Sequence, residues 1–271
     1  MKIKYKIAAL IAMGGLLFSQ QNGFAGNPDR AGQAGATQLL INPWARSSGW
    51  NGANSACSRG LESMYLNVAG TAFTKKTELL FARTNWLSGT GIFVNSFGFT
   101  QRVSETGVIG LGIMSMDFGD IPITTVDLPE GGIGTFSPQF MNLGLSYAKM
   151  FSNNIFGGMT FKIISEGLAD VKAKGVALDA GIQYVTGPSE NIKFGIALKN
   201  VGPRMRYSGD GLSFRGQVLS TGTALTVEQR SAEFELPSLV NIGVAYDFYF
   251  SKDSSAIKTH RLTGATAFTY N

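Results

Sequence analysis

The chain has 271 residues, with 23 basic and 18 acidic side chains, 35 glycines, one histidine and one cysteine. Charged residues make up 15% against about 25% in soluble domains, while glycine has nearly twice its usual share. A single cysteine excludes an internal disulfide. With no Cys/His cluster, no Walker pattern and no Gly-x-Ser-x-Gly elbow, the sequence supports no metal or cofactor site and no enzyme activity.

At the start, Lys2, Lys4 and Lys6 precede an apolar run from Ile7 to Phe18, and Gly23-Phe24-Ala25 supplies small residues for cleavage before Gly26. This reads as a secretory signal peptide over residues 1–25; the alternative is a buried helix or an anchor. Once those three lysines are removed, 20 basic residues face 18 acidic ones. A charge near +2 gives no support to a nucleic-acid partner. No later segment has the roughly 20 apolar residues of a spanning helix, so a membrane location would require strands.

Residues 26–76 form a small-residue N-terminal segment. It carries Leu39, Leu40, Ile41, Trp44, Trp50, Leu61, Met64, Tyr65 and Leu66, too much apolar surface to remain in water. A flexible periplasmic leader is the alternative. Cys57 lies far beyond the cleavage site and reads as a small buried residue rather than a lipid anchor.

From 77 onward, alternation predicts nine strands, over 77–86, 90–102, 106–118, 138–151, 154–166, 172–186, 191–202, 237–250 and 258–270. In the seventh, Ile192, Phe194, Ile196 and Leu198 point one way, and Lys193, Gly195, Ala197 and Lys199 the other. The fourth, sixth and eighth repeat the pattern, and together these faces would place Lys162, Asp179, Gln183, Asn241 and Asp247 inside. Glycine within strands marks bends or a crowded interior.

The connections after the second, fourth, sixth and eighth strands are short or modest and polar. Those after the third and seventh are long. This asymmetry is the one expected of an outer-membrane barrel, with short periplasmic turns and long outer loops. Tyr147, Phe151, Tyr184, Tyr246, Phe248 and Phe250 fall toward the short-turn ends, where an aromatic girdle would meet headgroups. The fold class expected is therefore all-β, an antiparallel transmembrane β-barrel over 77–271; a soluble sandwich is the alternative. An odd strand count leaves an edge unpaired, so several C-terminal strands are expected to be missing, unless "ALTVEQRSAEFEL" hides a tenth strand.

The N-terminal segment adds a specific likeness. Gly35-Ala36 leading to Leu39 and Leu40, then Ala45-Arg46, Gly52-Ala53, Tyr65 and "NVAG" resemble the PorV/PorQ family of Bacteroidetes outer-membrane proteins, relatives of the FadL fatty acid transporters. "ALKNVGPRMRYSGDG" and "ELPSLVNIGVAYDF" also resemble family segments. Val68 stands where the family has proline, and Trp44 where glycine is common. The resemblance implies a FadL-like barrel of 14 strands, about nine or ten of them present here, with the N-terminal segment packed partly inside.

It also implies a function: a type IX secretion component in outer-membrane lipid that binds the translocon and the C-terminal signal domains of cargo. The candidate partner-binding loop is 203–236, through Arg204, Arg206, Tyr207, Phe214, Arg215 and Arg230. The alternative is a FadL-like channel for hydrophobic compounds. A hydrolase is a third reading, but the only histidine, His260, has no motif around it.

Overall fold

A computed structural model describes residues 32–217, 224–250 and 260–270; the expected signal peptide lies outside the described residues. Nine long strands carry the fold: β1 (Thr77–Trp86), β2 (Ile92–Arg102), β3 (Gly107–Asp117), β4 (Gln139–Met150), β5 (Ile155–Leu168), β6 (Val171–Thr186), β7 (Ile192–Val201), β8 (Leu239–Phe250) and β9 (His260–Tyr270). Each pairs antiparallel with the next, so the protein is all-β, a meander in chain order. The nine expected strands match these within a few residues. The sheet is not closed: β1 and β9 are its two edges and do not pair with each other.

Side-chain polarity across the sheet is the reverse of a soluble protein's. On β7, Phe194, Ile196 and Leu198 are exposed while Lys193, Ala197 and Lys199 are buried; on β6, Val176, Leu178, Ile182 and Tyr184 are exposed while Asp179 and Gln183 are buried. The same holds for Asn142 and Ser146 on β4 and for Asn241 and Asp247 on β8, all of them buried. Apolar outside and polar inside follows directly from the period of two.

What buries the polar face is the N-terminal segment. It runs as short 3₁₀ turns at Thr37–Leu40, Ala53–Ala56, Leu61–Tyr65 and Val68–Phe73, with one helical turn at Ala45–Ser48. Its turns touch all nine strands, so the sheet wraps around it.

Inward glycines set the distance between segment and wall. Gly98, Gly112 and Gly144 lie directly opposite one another across β2, β3 and β4, with Leu61 over Gly98 and Met64 over Gly112. Gly158 and Gly181 pair across β5 and β6 beneath Val68 and Asn67, and Gly195 and Gly243 pair across β7 and β8 beneath Ala56 and Ser55. At Gly195 a Cβ would come within 2.7 Å of the Ala56 Cα, and at Gly181 it would overlap the Asn67 carboxamide. Any side chain there forces the segment off the wall.

The two long loops differ. In the first, only Ile121–Pro122 and Thr135–Phe136 pair. In the second, Tyr207–Ser208 adds to β6, and Ser213–Gln217 pairs with Ala224–Glu228 as a separate hairpin. The alternation in "ALTVEQRSAEFEL" thus supplies one side of that hairpin, not a tenth wall strand.

Replacing Gly181 by Val is expected to cost about 1–3 kcal/mol or more through overpacking. Gly216→Ala, where a Cβ meets nothing closer than 3.7 Å, should change stability by less than about 0.5 kcal/mol. Denaturant unfolding of the two variants in detergent compares them directly.

Candidate functional site

The six side chains expected to form one partner surface are divided by the structure into two groups. Arg204 is held by Glu235, its Nε and Nη2 donating to Oε1 at 3.1 and 2.8 Å. Tyr207 is turned in. Its backbone N–H and C=O both bond the Ser231 hydroxyl, its ring lies 5.6 Å from that of Phe234, and its own hydroxyl donates to Glu166. Burial first, and then that hydrogen bond to a carboxylate, raise the phenol's pKa above its ordinary value.

Met205 goes further in. It is buried with Ala36, Leu39, Ile164, Ala173, Ala177 and Leu236, and exchanges both backbone hydrogen bonds with Phe234. Gly35 N–H donates to the Glu235 carbonyl at 2.9 Å, tying the N-terminal segment to the same loop. The base of the loop is therefore part of the packed interior. Arg206 is exposed, sharing with Arg204 a cleft of about 680 Å³ that also includes Lys172, Lys174, Asp170, Asp210 and Glu233. With Glu235 pairing Arg204, four cations there face four carboxylates, which favours neither sign of ligand.

Phe214 and Arg215 are exposed on the separate hairpin, and Arg230 is exposed just beyond it. Within the hairpin Phe214 stands opposite Val227 and Gly216 opposite Leu225, so Phe214, Val227 and Leu225 share one face. All three are exposed. Arg215 lies on the other face, opposite Thr226. An exposed apolar face with arginines nearby in the same loop is a composition suited to a protein contact.

A second arrangement lies on the inner wall. Between β6 and β7 the register shifts after Leu178↔Val201 to Ala180↔Leu198, so Lys199 and Asn200 together face Asp179. This bulge turns two consecutive residues inward. Asn200 has φ of 58°, a conformation asparagine tolerates better than most residues. Its N–H donates to Asp179 at 2.8 Å, its carboxamide accepts from Lys162 at 2.8 Å and donates to the Pro237 carbonyl at 3.0 Å, and its C=O accepts from Ser238. Lys162 meets the Asp179 carboxylate at 2.5 Å.

Lys199 stands beside this group, also buried, and among the described residues its ammonium has no carboxylate or hydrogen-bond partner. It opens on a cavity of about 710 Å³ between the N-terminal segment and the long-loop ends of the strands. Asn241 and Tyr65 line the same cavity; among the described residues the Asn241 side-chain carboxamide oxygen lacks a partner, and burial pushes the Tyr65 phenol above its ordinary pKa. The opposite wall is apolar, with Ile41, Leu66, Trp86, Met116, Phe118 and Phe140.

Lys162, Asp179 and Lys199 were visible in the alternation as inward residues. Asn200 was not, because a bulge breaks the period that alternation reads. Among the described residues no group of three or more His, Cys, Asp or Glu side chains is placed to hold a metal. No protein-family model matches the chain, and neither does any curated protein. The class that fold and site define is an all-β antiparallel sheet wrapped about its own N-terminal segment, apolar outside and charged within.

Removing one partner of the buried pair, by Asp179→Leu or Lys162→Met, is expected to cost about 3–5 kcal/mol, since each leaves a buried charge uncompensated. The double variant should recover most of that loss. Chemical unfolding of the three proteins closes the cycle.

Proposed function

We propose that the protein is an outer-membrane β-barrel component of the type IX secretion system, exported by its signal peptide. In this reading it binds secreted cargo between the translocon and the surface attachment machinery. The observation that carries the membrane part is the reversed polarity of the sheet. Leu145, Phe161, Ile182, Ile196, Ile242 and Phe268 all stand exposed on different strands, a continuous apolar exterior that would aggregate in water and is at rest in lipid. Tyr147, Tyr184, Tyr246 and Phe250 are exposed toward the short-connection ends, where headgroups would lie.

The secretion part rests on the likeness of residues 35–70 to the PorV/PorQ family and on the apolar face of the 213–228 hairpin. That hairpin lies in a long loop at the end opposite the short turns, the side that faces outward in such barrels. The loop's base, from Met205 to Tyr207 and from Ser231 to Leu236, serves the interior. Cargo or translocon contact therefore falls to Phe214, Leu225, Val227 and the flanking Arg215 and Arg230.

The cavity beneath Lys199 favours a second reading, a FadL-like passage for hydrophobic compounds. An apolar wall opposite an unpaired ammonium suits a chain with an acidic head. The two readings separate experimentally because hairpin and cavity are different parts of the molecule.

Replacing 213–228 by a short Gly-Ser linker is expected to leave the protein in the membrane and to release co-purifying secretion partners, with cargo held in the periplasm. Normal secretion by cells carrying that deletion, together with loss of labelled fatty acid uptake in Lys199→Met, would establish the second reading instead. For the membrane itself, Ile196→Arg should cost about 2–4 kcal/mol of folding stability, against almost nothing for Ile133→Arg in the first long loop.

A further inference from the structure

We propose that a recess at the opposite end of the sheet, near the short connections, is an anion site that takes a phosphate group. The recess holds about 250 Å³, too small for a drug-sized ligand and sufficient for a phosphate or a phosphorylated headgroup. It lies between the segment 46–62 and the beginnings of β7 and β9. Arg46, Ser58 and Arg59 face it from the segment, Lys193 from β7, and Arg261 and Thr263 from β9.

The charges do not balance. Asp247 takes the Lys193 ammonium in a buried ion pair and the Thr263 hydroxyl at 2.7 Å, and Arg261 stands 3.7 Å from the same carboxylate. One negative charge thus serves two cations. Arg46 meets Glu62 at 3.0 Å, while Arg59 lies over the Phe73 ring and 3.5 Å from Glu190. Among the described residues, four cations against three carboxylates leave one positive charge beside a partly buried space. Cys57, which also lines the recess, does not cancel it: burial raises its thiol pKa, so it stays neutral near pH 7.

Among the described residues, two buried polar groups lining the recess have no partner. Ser58 is 6% exposed and its hydroxyl bonds nothing; Asn54 is 7% exposed and its carboxamide oxygen accepts nothing. Buried groups of this kind cost free energy unless something meets them. Both atoms are closed off from the recess as they stand, so Ser58 and Asn54 must each turn slightly before a tetrahedral monohydrogen or dihydrogen phosphate, held first by the guanidinium groups, accepts from Ser58 and donates its P–OH to Asn54. A planar carboxylate has no O–H to give and too few oxygens for donors converging from three directions. Arg46 and Arg261 have side chains 78% and 58% exposed, leaving them room to turn onto the anion.

The phosphate has two sources, a free ion or a lipid headgroup at the inner membrane surface. The full chain in detergent is titrated calorimetrically with inorganic phosphate and, separately, with a short-chain phosphatidic acid below its micelle concentration. Saturable binding of at least one is expected. Arg261→Gln should weaken it about tenfold or more, Ser58→Ala several-fold, and Arg215→Gln on the outer hairpin not at all. Phosphatidic acid alone binding identifies a headgroup site, and inorganic phosphate binding equally well identifies a free-ion site. No saturable binding of either probe overturns the proposal, as does binding that Arg261→Gln and Ser58→Ala leave unchanged. Ser58→Ala removes only an unpartnered hydroxyl, so it remains a folded test should Arg261→Gln disturb the edge strand.

Discussion

Asn67 holds the centre of the structure. Its carboxamide N–H group donates to the Ile182 carbonyl on β6 and the Ile196 carbonyl on β7, at 3.1 and 3.3 Å, while its oxygen accepts from Ala69 N–H and begins the last 3₁₀ turn. One short side chain thus joins two neighbouring strands to the segment they enclose. The contact exists only because Gly181 and Gly195 lie beneath it with no Cβ. The small inward residues and the fully buried segment from Val68 to Ala72 all follow from that closeness.

Once the wall turns its polar face inward, that face needs partners, and the N-terminal segment provides many of them. Gln183 donates to the Ser55 and Ser58 carbonyls at 3.1 and 3.2 Å, and Gln38 donates to Glu166 at 2.8 Å. Lys162 and Lys193 find carboxylates on neighbouring strands. The interior therefore combines these hydrogen bonds with small apolar clusters around Met205, Phe156 and Met114, and the larger apolar surface is left for the outside. Lys199 and the recess lined by Arg261 are two of the places where this internal matching stops short; among the described residues the hydroxyls of Ser63, Ser96, Ser146 and Thr160 also lack a partner. The first two are places where a ligand has something to contribute.

How much of this was legible beforehand depends on the range of the interaction. The strands were readable because alternation is local and, on this chain, nearly unbroken; the inward set of Lys162, Asp179, Gln183, Lys193 and Asp247 came with it. The glycine excess pointed to a crowded interior without saying what filled it. The second long loop misled for a definite reason. Met205 and Tyr207 sit among arginines with no period, and their burial comes from Ala36, Phe234 and Glu166, far away in sequence. Arg204 stays on the surface, with Glu235 beside it, a pairing that sequence alone does not show. Cys57, read as buried, proves half-buried on the wall of the anion recess.

The hydrogen bonds from Gln38 to Glu166 and from Asn67 to Ile196 close loops of 128 and 129 residues. Gly35 meets Glu235 across a still longer stretch of chain. Bringing such distant pieces together costs loop entropy that no local turn repays in advance. Thr37 to Phe73 therefore cannot hold its shape alone: its 3₁₀ turns are too short to persist by themselves. It must wait for walls made from sequence that follows it. Thr37 to Phe73, though it precedes every strand in sequence, is thus among the last to settle, and assembly ends by drawing it into place as the sheet curves around it.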